Sequence, residues 1–262
     1  MKIVVIGGTG LIGSKLVANL QGRGQEVIPA SLRLGIDSIT GEGLDAAMQG
    51  ASVVVDVSNS PNFEYATALG FFQASTRNLL TAEAAAGVGH HVALSVVGTP
   101  ELAKGGDRNA TTAGYFQAKL VQEDLIRSSS IPYSIVHATQ FFEFIASIAD
   151  EQTQDGITRV PPVLFQPMAA EDVAAGLGRV AIGPPMNGIV EIGGPEQRRF
   201  DEVIRLALSA SGDRREVVAD PSAGYYGIAV TERTLVPGGA ARLGQVRFAD
   251  WLRHSSAVTA GA

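Results

Sequence analysis

The sequence predicts an α/β fold, a parallel sheet with helices on both faces. Three observations predict it. Short β-rich runs alternate with helical periodicities from the first residues through residue 138. The first run, "KIVVI", reads as a buried strand. It leads directly into a glycine-rich turn that opens the first helix.

The elements follow in order. Residues 2–6 are a strand, and residues 11–24 show helical spacing with a glycine stop. "EVIPA" (26–30) is a second strand, with Pro29 near its end, and "IDSIT" (36–40) is a short edge strand. A short helix spans 43–50, and "ASVVVDV" (51–57) is strongly β. Residues 63–87 form a long, alanine-rich helix ending at Gly87, and "HHVALSVV" (90–97) is a strand. Polar, glycine-rich residues 98–111 read as a loop, 112–129 as a helix and 131–138 as a strand. Further on, 161–183 is an extended piece followed by a helix with Glu171 and Asp172 in its first turn, where the helix dipole favours acids. A strand at 187–194 and a helix at 199–212 follow. No repeat or low-complexity linker divides the chain. We therefore read residues 1–262 as one domain: a core of about residues 1–155 plus the strand near 187–194, with the remainder a small C-terminal lobe over it.

Composition excludes several functions. The 262 residues are 45% hydrophobic and 18% charged, enough apolar material for a large core. A net charge of −6 without a Lys/Arg cluster argues against nucleic acid and against an anionic membrane surface. There is no cysteine, so no disulfide, thiol nucleophile or thiolate metal site. The apolar N-terminus is not a signal peptide, because Lys15 interrupts it, and no stretch has the length to span a bilayer. A cytoplasmic protein is expected. His90 and His91 are adjacent on a strand and point to opposite faces, and no His/Asp/Glu group has metal spacing, so no metal is expected.

The turn "VIGGTGLIG" carries the first chemistry. Gly8-x-Gly10-x-x-Gly13 and the shifted Gly7-x-x-Gly10-x-x-Gly13 both satisfy a dinucleotide fingerprint. One glycine makes the tight turn, one lets pyrophosphate approach the backbone, and one lets helix and strand pack. The helix N-terminus adds amide donors and partial positive charge. The expected fold is thus a Rossmann-type doubly wound sheet, with Gly7, Thr9, Gly10, Leu11, Ile12 and Gly13 around the phosphates. After the second strand the chain reads "PASLRLG", with Ser31 and Arg33 and no carboxylate before Asp37. A guanidinium suits a 2′-phosphate, so NADP is expected over NAD.

"GYFQAKL" (114–120) places Tyr115 four residues before Lys119, about 40° apart around a helix. By themselves they are either a proton-donating pair or a solvated helix edge. "FFQ" (71–73) and "FFEF" (141–144) read as core, though Phe141 or Phe142 could wall a flat substrate, with Glu143 on the rim. His137, at a strand end, is either structural or a substrate contact.

Together "GGTGLIG", "DVSNSP", "LSVVG", "GYFQAKL" and "IPYSIVHATQFFEF" resemble the short-chain dehydrogenase/reductase superfamily, in its atypical NmrA-like NAD(P)H-binding branch. The resemblance covers most of the chain and fades after about residue 200. It implies strand order 3-2-1-4-5-6-7, a cofactor across the carboxyl ends of the strands, and a substrate pocket roofed by the C-terminal lobe. It implies that Ser95 orients a substrate carbonyl, that Tyr115 donates a proton, and that Lys119 binds the nicotinamide ribose and lowers the tyrosine's pKa. Ser58 and Asn59 would pass near the adenosine ribose, and Ala138, Thr139 and Gln140 would lie beside the nicotinamide amide. The sequence departs from the pattern in lacking Pro-Gly after "IVHA". Many members of the branch lack the tyrosine, and some bind cofactor without turning it over. Two functions are therefore carried forward: an NADP(H)-dependent reductase of a carbonyl or quinone-like molecule, and a non-catalytic NADP(H)-binding redox sensor. The expected partner is a small-molecule substrate, and a homo-oligomer is compatible with the pattern.

Overall fold

The computed structural model describes residues 1–105 and 111–260. Its centre is a parallel sheet, built because each strand is apolar on both of its faces. In β1 (Lys2–Ile6), Ile3 and Val5 face one helix layer while Val4 and Ile6 face the other, and all four are buried. Helix α1 (Leu11–Gly22) returns the chain to β2 (Glu26–Ala30). Next come α2 (Leu44–Met48), β3 (Val53–Asp56), α3 (Tyr65–Ala86) and β4 (His90–Val96). The core half closes with α4 (Thr99–Lys104), α5 (Thr111–Arg127) and β5 (Tyr133–Ala138).

The remainder is more broken. It comprises α6 (Ile145–Glu151), β6 (Thr153–Gln154), β7 (Ile157–Val160), β8 (Leu164–Phe165), α7 (Ala170–Ala181) and β9 (Gly188–Gly193). Then follow β10 (Arg198–Arg199), α8 (Phe200–Ala210), β11 (Glu216–Ala219), β12 (Arg242–Leu243) and α9 (Phe248–Ala260). The main sheet runs β12-β9-β5-β4-β3-β1-β2, every pair parallel.

Leu16 and Leu20 of α1 pack with Val173 and Leu177 of α7 against one face of the sheet. Met48 of α2 and Leu79 and Ala82 of α3 cover part of the other, and α5 packs along α3. A separate core joins Phe142, Ile148, Phe165, Phe200, Ile204 and Phe248 from the later elements. Each of these large side chains contributes about 1.5–3 kcal/mol by leaving water. Among the described residues no helix is long and apolar enough to cross a membrane.

Two sequence expectations fail here. Residues 36–40 are not an edge strand, so the order is one strand short beside β2, and the two-residue β12 sits at the opposite edge. The cause is local. The Asp37 side chain accepts from the Ile39 N–H at 2.7 Å, and Gly35, Gly41 and Gly43 all take positive φ, which closes the segment into turns. The supposed loop 98–111 contains α4, with Pro100 in its first turn and Glu101 near its N-terminus; residues 106–110 lie outside the described set.

Candidate functional site

A cleft of about 780 Å³ runs along the carboxyl ends of the strands. Its floor at one end is the turn between β1 and α1. Gly7 has φ +77°, which favours glycine, and its N–H donates to the Ala30 carbonyl at 2.9 Å. A Cβ on Gly13 would lie 2.0 Å from the Gly7 carbonyl oxygen, so helix and strand can meet only with glycine there. Gly10 differs. It is exposed and extended, and a Cβ on it would meet only the Gly7 carbonyl, at 3.3 Å. That glycine's open side faces the cleft rather than the protein. No side chain caps α1, and no acidic residue sits in its first turn. This is the donor set an anion needs. Thr139 Oγ1, buried on the cleft wall, has no hydrogen-bond partner among the described residues. The residues therefore fit a dinucleotide.

The structure brings most of the expected residues to this wall. Gly7, Thr9, Gly10, Leu11, Ile12, Gly13, Arg33, Ser58, Asn59, Ser95, Tyr115, Lys119, Ala138, Thr139, Gln140 and Phe141 all line it. Arg33 stands exposed on the turn Leu32–Leu34 after β2. Ser31 does not reach the wall; its buried hydroxyl lacks a partner among the described residues.

Other placements correct the sequence reading. Phe142 is buried against Phe248 and Trp251, with ring centroids 4.9 and 5.6 Å away, and does not wall the cleft. Its neighbour Phe141 stacks with Phe144 at 5.7 Å instead, because residues three apart on a tight turn share a side. Glu143 is not free on the rim, since both its oxygens accept from the Ala170 N–H at the start of α7, at 3.2 Å. His137 is not on the cleft wall; beside Ser95 in the sheet, it donates to Glu123 Oε1 at 2.9 Å. Ser95 spends its hydroxyl on the same oxygen at 2.5 Å, and Arg127 pairs with Oε2 at 2.6 Å. Burial alone would raise Glu123, but hydrogen bonds and charge from His137, Ser95 and Arg127 outweigh it and hold the carboxyl below its usual range. Glu123 is thus a buried anchor for two strand ends. Sequence reading passed it over, although it lies four residues beyond Lys119.

Tyr115 and Lys119 share one side of α5, but not as a solvated edge. The Tyr115 hydroxyl donates to Asn59 Oδ1 at 3.1 Å, and its ring packs on Phe63, Phe72 and Phe116. Lys119 is buried. Its ammonium donates to the Leu94 carbonyl at 2.7 Å and to Gln122 Oε1 at 2.6 Å, and it lies 4.6 Å from the Phe72 ring centre. Gln122 in turn donates to Asp56 Oδ2 at 3.0 Å, and Asp56 holds the Ser58 N–H and hydroxyl. One polar layer therefore runs from the loop after β3 to α5. Burial lowers Lys119 to about 8, against the opposing charges of Asp56 and Glu123. Burial raises the Tyr115 phenol, opposed by Asn59. The expected lowering of Tyr115 by Lys119 is not found, because the ammonium is turned onto Leu94 and Gln122.

The cleft wall also carries an aromatic chamber of Phe116, Phe141, Phe144, Ile148, Tyr225 and Tyr226, in which Phe141 stacks on Phe144 and Tyr225 lies against Phe116 and Tyr226. Burial holds the Tyr225 phenol well up, and Tyr226 is pushed up to about 12 by burial and by Glu151. Arg33, Asp37 and Lys119 are the charged side chains on the cleft wall among the described residues. No group of residues suited to a metal ion occurs among the described residues.

A family model described as NAD(P)H-binding matches residues 7–177, more than half of the chain. Solved structures share the fold at low identity. A short-chain dehydrogenase/reductase superfamily protein from Agrobacterium tumefaciens with bound NAD aligns with TM-score 0.75 and 20% identity, over 100% of this chain and 98% of that one. A UDP-N-acetylglucosamine 4-epimerase from Bacillus cereus gives 0.67 and 17%, over 100% of both chains. An NADPH-dependent quinone oxidoreductase from Escherichia coli gives 0.64 and 15%, over 97% and 99%. The curated proteins give no significant match.

Proposed function

The chain belongs to the NAD(P)H-binding family, and from that premise we propose that it is an NADP(H)-dependent reductase of a small, uncharged carbonyl or quinone-like acceptor. One observation carries the reading. A single cleft joins a glycine turn open at Gly10, the Tyr115–Lys119 pair, and an aromatic chamber free of charged groups among the described residues. A nucleoside-diphosphate substrate would call for guanidinium or ammonium groups at its phosphates, and the chamber's described residues supply none.

The backbone from Gly7 to Gly13 and the start of α1 would hold the pyrophosphate. Arg33 would face the 2′-phosphate. Asp37, on the same wall, is the group that would serve an NAD ribose instead, but its Oδ1 already accepts from Ile39. Ser58, Asn59 and Lys119 would contact the riboses, and Thr139 and Gln140 the nicotinamide amide. Bound nicotinamide supplies the hydride. Tyr115 would supply the proton to the acceptor oxygen. The phenol is protonated at neutral pH, but burial makes it a weaker acid than a free phenol, so the proton transfer needs a positive charge brought beside it. Lys119 would have to release Leu94 or Gln122 to stabilise the phenolate left behind.

Specific observations favour a second reading, a redox sensor that holds the nucleotide without turnover. The Ser95 hydroxyl is committed to Glu123, and Tyr115 to Asn59. The discriminating experiment is equilibrium binding of NADPH and NADH, followed by an acceptor screen read as NADPH oxidation. The reductase reading expects turnover with neutral aromatic acceptors and none with UDP-sugars. Tight NADPH binding with no acceptor reduced favours the sensor.

A further inference from the structure

Tyr226 occupies a backbone conformation that tyrosine rarely adopts. Three residues other than glycine have positive φ among the described residues: Asp155 (52°), Asn187 (48°) and Tyr226 (51°). Asp and Asn tolerate this region; a bulky aromatic does so at a cost. The chain makes the same turn twice, which allows a direct comparison. Between β6 and β7, Asp155 and Gly156 form a two-residue hairpin turn with φ of 52° and 77°. Between Tyr225 and Ile228, whose backbones exchange hydrogen bonds of 2.8 and 3.0 Å, Tyr226 and Gly227 take φ of 51° and 77°. The first turn carries a residue suited to it and the second does not.

The strained turn is held firmly. Gln152 Oε1 accepts from the Tyr226 N–H at 3.0 Å, and Gln152 Nε2 donates to the Gly224 carbonyl at 3.0 Å. A Cβ on Gly224 would lie 2.5 Å from the Ile228 carbonyl oxygen, so the loop closes tightly only with glycine. The clamp sets the half-buried Tyr226 ring on the wall of the aromatic chamber, edge-on to Tyr225 at 4.7 Å and packed against the core of the later elements.

We propose that Tyr226 is a specificity-determining residue: the strained turn presents its ring as the wall against which a planar, uncharged acceptor stacks. The inference rests on the reductase reading above. A flat aromatic face recognises a flat ring by stacking and offers an anionic substrate nothing. Strain in a turn that the same chain elsewhere builds from Asp-Gly is accounted for by what the ring does in the cleft.

The test uses Tyr226→Gly and Tyr226→Asn, two residues that accept this conformation. Each is measured for thermal stability, NADPH affinity, and binding of 1,4-naphthoquinone in the presence of NADP, where no hydride can be transferred. Both variants should remain folded, with lost ring packing offset in part by relief of the strained turn, and bind NADPH as wild type does, while naphthoquinone binding weakens at least ~10-fold. With NADPH, KM for the quinone should rise with kcat nearly unchanged. Unchanged naphthoquinone binding in both variants, or a loss of naphthoquinone and NADPH binding together, would overturn the proposal, because the ring would then be inert or a structural plug. So would a wild type that binds NADPH but not naphthoquinone. A wild type that fails to bind NADPH removes the reductase reading itself, and this inference with it.

Discussion

Replacing Gly10 with alanine should weaken nucleotide binding roughly 10²-fold and leave the fold intact, whereas the same change at Gly13 should damage both. At Gly10 the backbone is extended (φ −80°, ψ −178°), and the new Cβ meets only the Gly7 carbonyl, at 3.3 Å. Stiffening the unfolded chain stabilises by about 0.4–1 kcal/mol, and alanine at a helix N-cap loses a similar amount, so stability should stay within about 1 kcal/mol of wild type. The methyl group instead occupies the face where pyrophosphate approaches. Losing two charge-assisted hydrogen bonds at about 1.5 kcal/mol each comes to about 3 kcal/mol, or roughly 10²-fold in Kd. At Gly13 the Cβ falls 2.0 Å from the Gly7 oxygen, 2.7 Å from its carbonyl carbon and 2.8 Å from the Gly8 Cα, all backbone atoms that cannot swing aside. Overpacking of this kind costs about 1–3 kcal/mol or more. Urea unfolding and NADPH titration of both variants separate the two effects. A folded Gly10→Ala protein with wild-type affinity would refute the assignment of the glycine turn. So would a Gly10→Ala protein as destabilised as Gly13→Ala.

Two further outcomes are expected. Arg33→Ala should weaken NADP(H) by about 1.5–3 kcal/mol and NAD(H) hardly at all, measured by titrating both cofactors; equal losses would remove Arg33 from the 2′-phosphate. Lys119 has its folded pKa lowered to about 8, below its unfolded value, so the unfolded chain binds the extra proton between these values, and the Lys119 contribution to stability rises with pH across that window. The stability difference between wild type and Lys119→Met should therefore move in favour of wild type by a few kcal/mol from pH 8 to 10, read from urea midpoints; a flat difference would mean that Lys119 is not desolvated.

Much of this molecule is legible in its sequence because the signals are local. The glycine turn, the run "KIVVI" and the spacing of Tyr115 and Lys119 each depend on residues within one turn or strand. What was missed depends on distant partners or on fine local choices. Ser95 lines the cleft as its strand end suggests and His137 does not, yet Glu123, on a helix 28 and 14 residues away, draws the polar atoms of both to itself. Tyr225 and Tyr226 reach the chamber from the segment between β11 and β12, where no periodicity points to the sheet. Two local signals were available. In "FFEF", the spacing of three pairs Phe141 with Phe144 and sends Phe142 inward, and "YYG" sits where a hairpin turn would ordinarily place Asn-Gly or Asp-Gly. Residues 36–40 failed as a strand because Asp37 and three glycines offered the backbone a better set of turns.

The most direct measurement of the central claim is acceptor-dependent NADPH oxidation by wild type and Tyr115→Phe, with NADPH affinity determined in parallel. Tyr115→Phe keeps the ring that packs on Phe63, Phe72 and Phe116 and removes only the hydroxyl. The account predicts that wild type oxidises NADPH with neutral carbonyl acceptors. It predicts that the variant binds NADPH almost as well and turns over roughly 10²–10⁴-fold more slowly. A variant as fast as wild type, or a wild type that binds NADPH tightly and reduces no acceptor, would contradict it.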